Sequence, residues 1–448
     1  MKVTVAGAGY VGLVTSACLA EIGHQVTCID IQQEKITMLQ SGRSPFYEPG
    51  LESLLEKNMK TKQLQFTTNP HEAYSGAEII FITVGTPEKH DGSADLKYIH
   101  VVSHTIAHYI DQDTIICTKS TVPVGTNELI QHIIESRKPP NLCVEVVANP
   151  EFLREGSAIV DFFHGDRIII GTRQADLTDK IEQLYRPLQI PIFITDIRSA
   201  ELIKYASNAF LATKISFINE MANICEKIGA NIDEVAYGIG QDKRIGPHFL
   251  KAGLGYGGSC FPKDTKALVQ FGTDRKHQLE LLEAVIQINN RQHSLAVKMA
   301  QQTIGSLHGK KVALLGLAFK ADTDDVRESA ALTIAKELLE AGAIVTAYDP
   351  IALANAQKIL GNEIKYAQDI HKALTGADLV IIATDWEHIK LLPLEMYVTN
   401  MSEPIVIDGR NCYSLEAIRR YPITYRSIGR PTIWKEDYLK GTQHDEMD

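Results

Sequence analysis

The densest concentration of reactive chemistry in the chain is the run Phe249 to Asp264, FLKAGLGYGGSCFPKD. Gly253, Gly255, Gly257 and Gly258 lead into Cys260, with Lys251 and Lys263 as local positive charge, so the segment reads as a loop whose backbone can wrap an anion. A thiol attacks only as its thiolate, which electropositive surroundings favour. Cys260 alone has such surroundings, whereas Cys18, Cys28, Cys117, Cys143 and Cys225 fall in apolar helix or strand patterns. The competing reading of Cys260 is a small residue fitted to a crowded turn.

A second constellation stands at the start. Gly7, Gly9 and Gly12 follow the apolar strand pattern KVTVA and open a helical pattern, and Asp30 ends the next strand pattern eighteen positions after Gly12. Strand, glycines, helix, strand and acid in that order are what a dinucleotide requires: a tight turn, close approach of the pyrophosphate to a helix N-terminus, and a carboxylate for the ribose hydroxyls. Asp30 would repel a 2′-phosphate, which favours NAD over NADP. Lys35, one turn further on, can reach the ribose end or simply be solvated.

Thiol and nicotinamide together define a reaction class. Alcohol oxidation needs a base and a hydride acceptor but no nucleophile. Oxidation of an aldehyde to an acid does use one: the thiolate adds to the carbonyl, the adduct gives up hydride, and water hydrolyses the thioester. Lys204 and Asn208, spaced i, i+4, share a helix face and can steady an oxyanion, or form a solvated face. In NPEFLREG, Asn149 reads as an N-cap with Pro150 as the first helical residue. Glu151 and Glu155 would then favour the macrodipole, or serve as bases at the carboxyl edge of a parallel sheet.

The elements that must position these groups form a weak internal echo. KVTVAGAGYVGL, ACLAEIGHQVTCIDI and GAEIIFITVGTP near the start correspond to KKVALLGLAFK, KELLEAGAIVTAYDP and GADLVIIATDW from Lys310 on. Buried strand patterns alternating with helical ones predict two Rossmann-like, doubly wound α/β domains with parallel sheets. TIICTKS, VEVVANP, RIIIGT and PIVIDGR supply further strands. The second copy, GLAFK, lacks the glycine triplet, and its Asp349 either matches Asp30 or caps the next helix. Between the copies, Ser199 to Gly229 has neither Pro nor internal Gly and predicts a long central helix, a surface suited to subunit pairing. The expected domains are 1–198, 199–308 and 309–448, ending in a loose acidic tail.

Composition bounds the partners. With 448 residues, 44% hydrophobic and 22% charged, the chain can bury a sizeable core. A formal net charge of -10 is the wrong sign for counterion-release binding of nucleic acid, but leaves room for a small anion in a locally cationic cleft. The seven cysteines form no CxxC pair and no Cys/His cluster, so neither a disulfide framework nor a metal site is expected. No signal peptide or membrane span is predicted, and a cytoplasmic location is expected.

Six ordered segments, GAGYVGL, KSTVPVGT, NPEFLREG, ELIKYASNAF, GYGGSCFPKD and GLAFKADTDDVRES, cover most of the chain and together resemble the UDP-glucose/GDP-mannose dehydrogenase family. The resemblance implies a two-step oxidation of a sugar C6 hydroxyl to a carboxylate with two NAD and no metal, UDP-glucose being the expected substrate and UDP-glucuronate, a polysaccharide precursor, the product. It implies Cys260 as nucleophile, Lys204 and Asn208 at the oxyanion, Asp264 and Glu151 in proton transfer, and Thr121 at a water or the cofactor. NAD contacts are implied for Val11, Asp30, Lys35, Thr86, Thr121, Glu155, Lys263 and Arg327, beside Gly7, Gly9 and Gly12.

For the nucleotide sugar, the resemblance implies Glu151, Phe152, Leu153, Arg154, Glu155, Lys204 and Asn208. From the cysteine loop it adds Phe249, Leu250, Lys251, Ala252, Gly253 and Gly257, and beyond it Lys320. Arg244, from a neighbouring subunit, and Arg410 are implied at sugar and phosphates. Members usually dimerise through the central helix. The chain departs from the family at Gly85 in VGTP, and at Arg154, whose side chain is expected to face away. Tyr256 and Phe261 agree better with the UDP-glucose branch. GDP-mannose or another nucleotide hexose is the alternative substrate; a one-step hydroxyacid dehydrogenase leaves Cys260 unexplained, and an NAD-responsive regulatory protein would need no thiol.

Overall fold

The computed structural model describes residues 1–173 and 178–438. The expected loose tail lies largely outside them. The chain forms two compact units: residues 1–208 with 266–278, and 209–265 with 279–448.

Unit 1 is built on an eight-stranded sheet of β1 (Lys2–Ala6), β2 (Gln25–Ile29), β3 (Leu64–Thr67), β4 (Ile79–Ile82), β5 (Thr114–Thr118), β6 (Val144–Ala148), β7 (Ile168–Gly171) and β8 (Ile192–Thr195), in the order β3-β2-β1-β4-β5-β6-β7-β8. Every pairing is parallel except one: β7 meets β6 antiparallel at Ala148 and Gly171. Helices cover both faces, which is why β4 reads IIFI with no polar alternation and is buried throughout. The helix Tyr10–Glu21 is buried from Gly12 to Ala20, and its small residues let it sit close to the sheet.

Unit 2 repeats the plan in six strands: β9 (Lys311–Leu315), β10 (Ile344–Tyr348), β11 (Lys365–Tyr366), β12 (Leu379–Ile382), β13 (Ile405–Asp408) and β14 (Thr424–Ser427), ordered β11-β10-β9-β12-β13-β14 and parallel throughout. The order reverses direction between β1 and β4, and again between β9 and β12. Beyond the carboxyl ends of such strands lies the crevice where α/β sheets take ligands. The internal echo extends to side chains: Thr83, after β4, donates to the carbonyls of Ala6 and Gly7, and Thr384, after β12, donates to that of Ala318.

The predicted long helix runs from Ile197 to Ile228. Its residues to Asn208 belong to unit 1 and the remainder to unit 2. Among the described residues no helix is long and apolar enough to cross a membrane, and no group of three or more His, Cys, Asp or Glu could hold a metal.

Candidate active site

In unit 1 the dinucleotide motif is fully formed. Gly7 takes φ 109° at the end of β1, a conformation that side-chain-bearing residues rarely adopt. A Cβ on Gly12 would lie 1.8 Å from the Gly7 carbonyl oxygen, so only glycine lets the helix start against the turn. A Cβ on Gly9 would meet nothing within 4 Å: that side of the loop is open, the clearance a pyrophosphate needs to reach the helix N-terminus. The residues therefore fit NAD. Asp30 Oδ2 accepts from the Ala8 amide and from Lys35 Nζ, each at 2.9 Å, while Oδ1 accepts from the Gln32 amide. Lys35 is thus ion-paired rather than solvated. Thr86 is buried and donates to the Thr121 carbonyl at 2.8 Å, joining two of the expected cofactor residues.

The reading of NPEFLREG needs correction. Asn149 does not cap a helix and Pro150 does not start one; residues 149–154 are irregular and the helix begins at Ala158. Asn149 is wholly buried, its amide donating to the Ile169 carbonyl while its Oδ1 accepts from Tyr185 Oη. It therefore ties β6 to the strand beside it. Glu151 and Glu155 accordingly do not share a helical turn, and the macrodipole explanation for them falls. Glu151 is buried and accepts from Lys204 Nζ at 3.2 Å, with its other oxygen accepting from the Leu153 amide. Lys204 also stands 5.3 Å from the Phe152 ring centroid, and the Arg167 guanidinium lies over the same ring at 3.7 Å. Lys204 and Asn208 are both buried, so the solvated-face reading fails. Arg154 is exposed and held by Asp161, so its side chain turns outward as expected.

Three groups that sequence reading passed over support this corner. Glu201, one turn before Lys204, is buried and accepts from the amides of Gly125 and Asn127 and from the Asn127 side chain, fastening KSTVPVGT to the long helix. Glu48 accepts from Tyr10 Oη and from the Gly156 and Ala158 amides, bracing the glycine turn against REG. Lys119 is buried 5.7 Å from the centroids of Phe81 and Tyr185. Its one signal was position: a lysine just past the end of a central strand.

Burial pushes the Lys119 ammonium down to about 8; nearby Glu151 opposes the shift and Lys204 adds to it. Between that value and the ordinary lysine range, the unfolded chain holds a proton that the folded chain has released. Stability therefore rises with pH through this window, by up to about 3 kcal/mol. Lys119→Met should be more stable than wild type by about that amount at pH 7, the difference vanishing above pH 10. Denaturant titrations of both proteins across the range check this, and a pH-independent difference would contradict it.

In unit 2, Cys260 is half-buried and caps the helix Phe261–Asp274, its carbonyl accepting from the Asp264 amide. Cys260 thus stands at the positive end of that helix, its Sγ 3.6 Å from Ser259 Oγ. Lys263 is paired with buried Asp264 at 2.6 Å. The preceding loop is fixed by side-chain amides. Asn219 Oδ1 accepts from the Gly253 amide and Gln292 Nε2 donates to its carbonyl; Asn289 bonds both the amide and the carbonyl of Tyr256. Gly258, at φ 83°, lies where a Cβ would strike the Phe319 ring at 2.7 Å. The glycines thus serve a crowded, clamped loop. Phe249 takes φ 64°, Leu250 and Ala252 are buried, and Lys251 pairs with Asp385.

Other expected ligand residues of unit 2 lie as follows. Arg410 spends its guanidinium on the carbonyls of Ala383, Gly255 and Phe319, a brace across three segments. Arg244 is exposed and paired with Asp242, and Arg327 pairs with Asp325. Lys320 Nζ stands 5.7 Å from the Phe319 centroid. Asp349 does both things proposed for it: Oδ2 accepts from the amides of Leu317 and Ala318, as Asp30 does from Ala8, and Oδ1 accepts from the Ile351 and Ala352 amides ahead of the next helix. Of the cysteines assigned to apolar patterns, Cys143 is exposed.

The family match spans the chain. Residues 1–189 match the NAD binding domain, 198–291 the central domain and 313–415 the UDP binding domain of the UDP-glucose/GDP-mannose dehydrogenase family. The chain is 53% identical over 433 residues to the UDP-glucose 6-dehydrogenase YwqF of Bacillus subtilis, covering 97% of this chain and 98% of that protein. A UDP-glucose dehydrogenase structure from Pyrobaculum islandicum is similar with a TM-score of 0.89 and 38% identity, covering 96% of this chain and 98% of the other. The UDP-N-acetyl-mannosamine dehydrogenase Cap5O of Staphylococcus aureus is similar with a TM-score of 0.79 and 27% identity, covering 96% and 98%.

Proposed function

We propose, from the premise that this chain belongs to the UDP-glucose/GDP-mannose dehydrogenase family, that it oxidises the C6 hydroxyl of UDP-glucose to a carboxylate, giving UDP-glucuronate for polysaccharide synthesis. The observation that carries this reading is a thiol at a helix N-terminus, Cys260, in a chain that also holds an intact dinucleotide cradle. NAD, when bound, supplies the hydride acceptor for both oxidations. Gly7, Gly9, Val11, Gly12, Asp30, Lys35, Thr86, Thr121, Glu155, Lys263 and Arg327 are the residues proposed to hold it. The residues 1–198 form the cofactor part in this reading, 199–308 the pairing part and 309–448 the UDP part.

The protein's own groups divide the remaining work. Lys204 and Asn208 steady the C6 oxygen as it gains charge. Cys260 Sγ adds to the C6 aldehyde, and after the second oxidation carries the sugar as a thioester. Water then attacks that carbonyl, breaking the C–S bond and returning the thiolate, with Asp264, Glu151 and a water placed by Thr121 moving the protons. Phe152, Leu153, Arg154, the loop 249–253, Gly257, Lys320, Arg244 of a neighbouring subunit and Arg410 bind or brace the nucleotide sugar. Structural likeness to a UDP-N-acetyl-mannosamine dehydrogenase favours a second reading, the same chemistry on another UDP-hexose.

Purified protein given NAD and a panel of UDP-glucose, GDP-mannose and UDP-N-acetyl sugars should form two NADH for each UDP-glucose consumed. One NADH per sugar, or turnover of a different sugar alone, would sink the assignment. Asp30→Ala should raise the Kd for NAD on the order of tenfold to a hundredfold, by loss of charge-assisted hydrogen bonds to the ribose, with UDP-glucose binding nearly unchanged. Equal NAD affinity in a titration of the variant would remove Asp30 from the cofactor site.

Homodimerisation through the central helix fits its surface. Phe210, Phe217, Ile224 and Ile228 are exposed on that helix at 66%, 47%, 45% and 69%, at spacings that keep them near one stripe, where a lone soluble helix would carry polar residues. A cytoplasmic location is proposed on the free cysteines.

A further inference from the structure

Unit 2 contains a cleft of about 540 Å³ beside the carboxyl-terminal half of the long helix, and none of the residues assigned above to NAD, sugar or proton transfer lines it. Its volume falls in the range of small-molecule sites. Five cations line it, Lys227, Arg291, Lys298, Arg426 and Arg430, against the two carboxylates Glu220 and Glu226. In a chain of net charge -10 that is a local reversal of sign. Arg426 and Arg430 are committed: the first donates to Met299, Thr303 and Gln302, the second to Ser427, Asp233, Tyr413 and Tyr425. Lys227, Arg291 and Lys298 are exposed at the rim and pair with no carboxylate among the described residues.

The floor of the cleft carries a second signal. Gln292 is buried and its orientation is fixed, because Nε2 donates to the Gly253 carbonyl at 2.8 Å. Its Oε1 must therefore accept, and it does so from Asn223 Nδ2 at 3.2 Å. This turns Asn223 Oδ1 away as an acceptor, buried and without a hydrogen-bond partner. A buried acceptor left unpaired is unfavourable, and a hydroxyl donor reaching it would be rewarded. No aromatic ring lines the cleft, so it offers a nucleobase no stacking surface.

We propose that this cleft is a second ligand site, for a phosphorylated polyol of the sugar-phosphate class. The phosphate would meet Arg291, Lys298 and Lys227, where a guanidinium fork and ammonium groups suit its oxygens, and a sugar hydroxyl would donate to Asn223 Oδ1. Through Gln292 the ligand would stand two amide side chains from Gly253, in the loop that leads to Cys260. Such a ligand would be distinct from the nucleotide-sugar substrate.

Isothermal titration with glucose 6-phosphate as probe, in the absence and presence of saturating UDP and NAD, tests the site. Saturable binding is expected in both conditions, at least about tenfold weaker in Arg291→Gln/Lys298→Gln, whose exposed positions leave folding and basal turnover intact. Asn223→Leu should weaken glucose 6-phosphate binding but not the weaker binding of inorganic phosphate. The proposal is overturned if the double variant binds as well as wild type, if UDP and NAD abolish the heat, or if no saturation occurs below about 10 mM. Phosphate binding as tight as that of the sugar phosphate would overturn the role given to Asn223.

Discussion

Cys260→Ser is expected to lower kcat for acid formation on the order of 10⁶-fold, the scale on which an enzyme loses turnover when its covalent nucleophile is removed. The serine hydroxyl is close in size, and the loop that carries it is held by Asn219, Gln292 and Asn289, so the variant should fold as wild type does. NAD affinity should be unchanged, since none of the residues proposed to hold NAD is altered. The loss follows from chemistry: an alkoxide is not available at a helix N-terminus near neutral pH, whereas a thiolate is. Rapid quench of the reaction, with separate assay of aldehyde and acid, reads the result. Glucuronate formed by the serine variant at the wild-type rate would exclude the thioester route.

Lys204→Met should cost stability and turnover together. Glu151 and Lys204 are about equally buried, with side-chain exposures of 6% and 5%, and removing one partner strands the other in a poorly solvated setting. Such strandings cost about 3 to 5 kcal/mol; Lys119, a second buried cation acting on the same carboxylate, should hold this one near the lower figure. Loss of an oxyanion donor should independently reduce kcat on the order of 10² to 10³. The two effects separate by adding Glu151→Gln to the variant: turnover should remain low, while much of the lost stability should return, because no charge is then stranded where the pair stood. Chemical denaturation and steady-state kinetics on the two variants measure both, and an unaltered melting curve for Lys204→Met would show that the ion pair carries no net stability.

Much of this was legible from residue order alone, because the glycine triplet, the acid at the end of β2 and the buried runs of β1 and β4 each permit few conformations. The same holds for β9 and β12, and for the central helix, which lacked any residue able to end it. The misreadings have a common cause. Asn149-Pro150 carries every local mark of a helix start, yet the segment stays irregular because Asn149 finds better partners in Ile169 and Tyr185, which no local pattern reveals. The strands β3, β8, β11 and β14 are short and stand toward the sheet edges, so their hydrophobic signal is slight; Phe193 in β8 is 54% exposed. Lys119, Glu201 and Glu48 were invisible for another reason: a lone charged residue looks solvated until the fold places it beside orphaned amides or inside an aromatic pair. Arg410, implied by the family resemblance at sugar and phosphates, appears in the fold as a brace for carbonyl groups.

Asp349 carries a consequence for how a duplicated fold divides its labour. Its oxygens accept five hydrogen bonds, from the amides of Leu317, Ala318, Ile351 and Ala352 and from Trp386 Nε1. Asp349 thus stands after β10 as Asp30 stands after β2, but with five protein donors on its oxygens where Asp30 has three. A carboxylate has about four lone-pair sites, so Asp349 has none left for ribose hydroxyls, and the half that keeps the glycine triplet is also the half whose acid is still able to accept from a ligand.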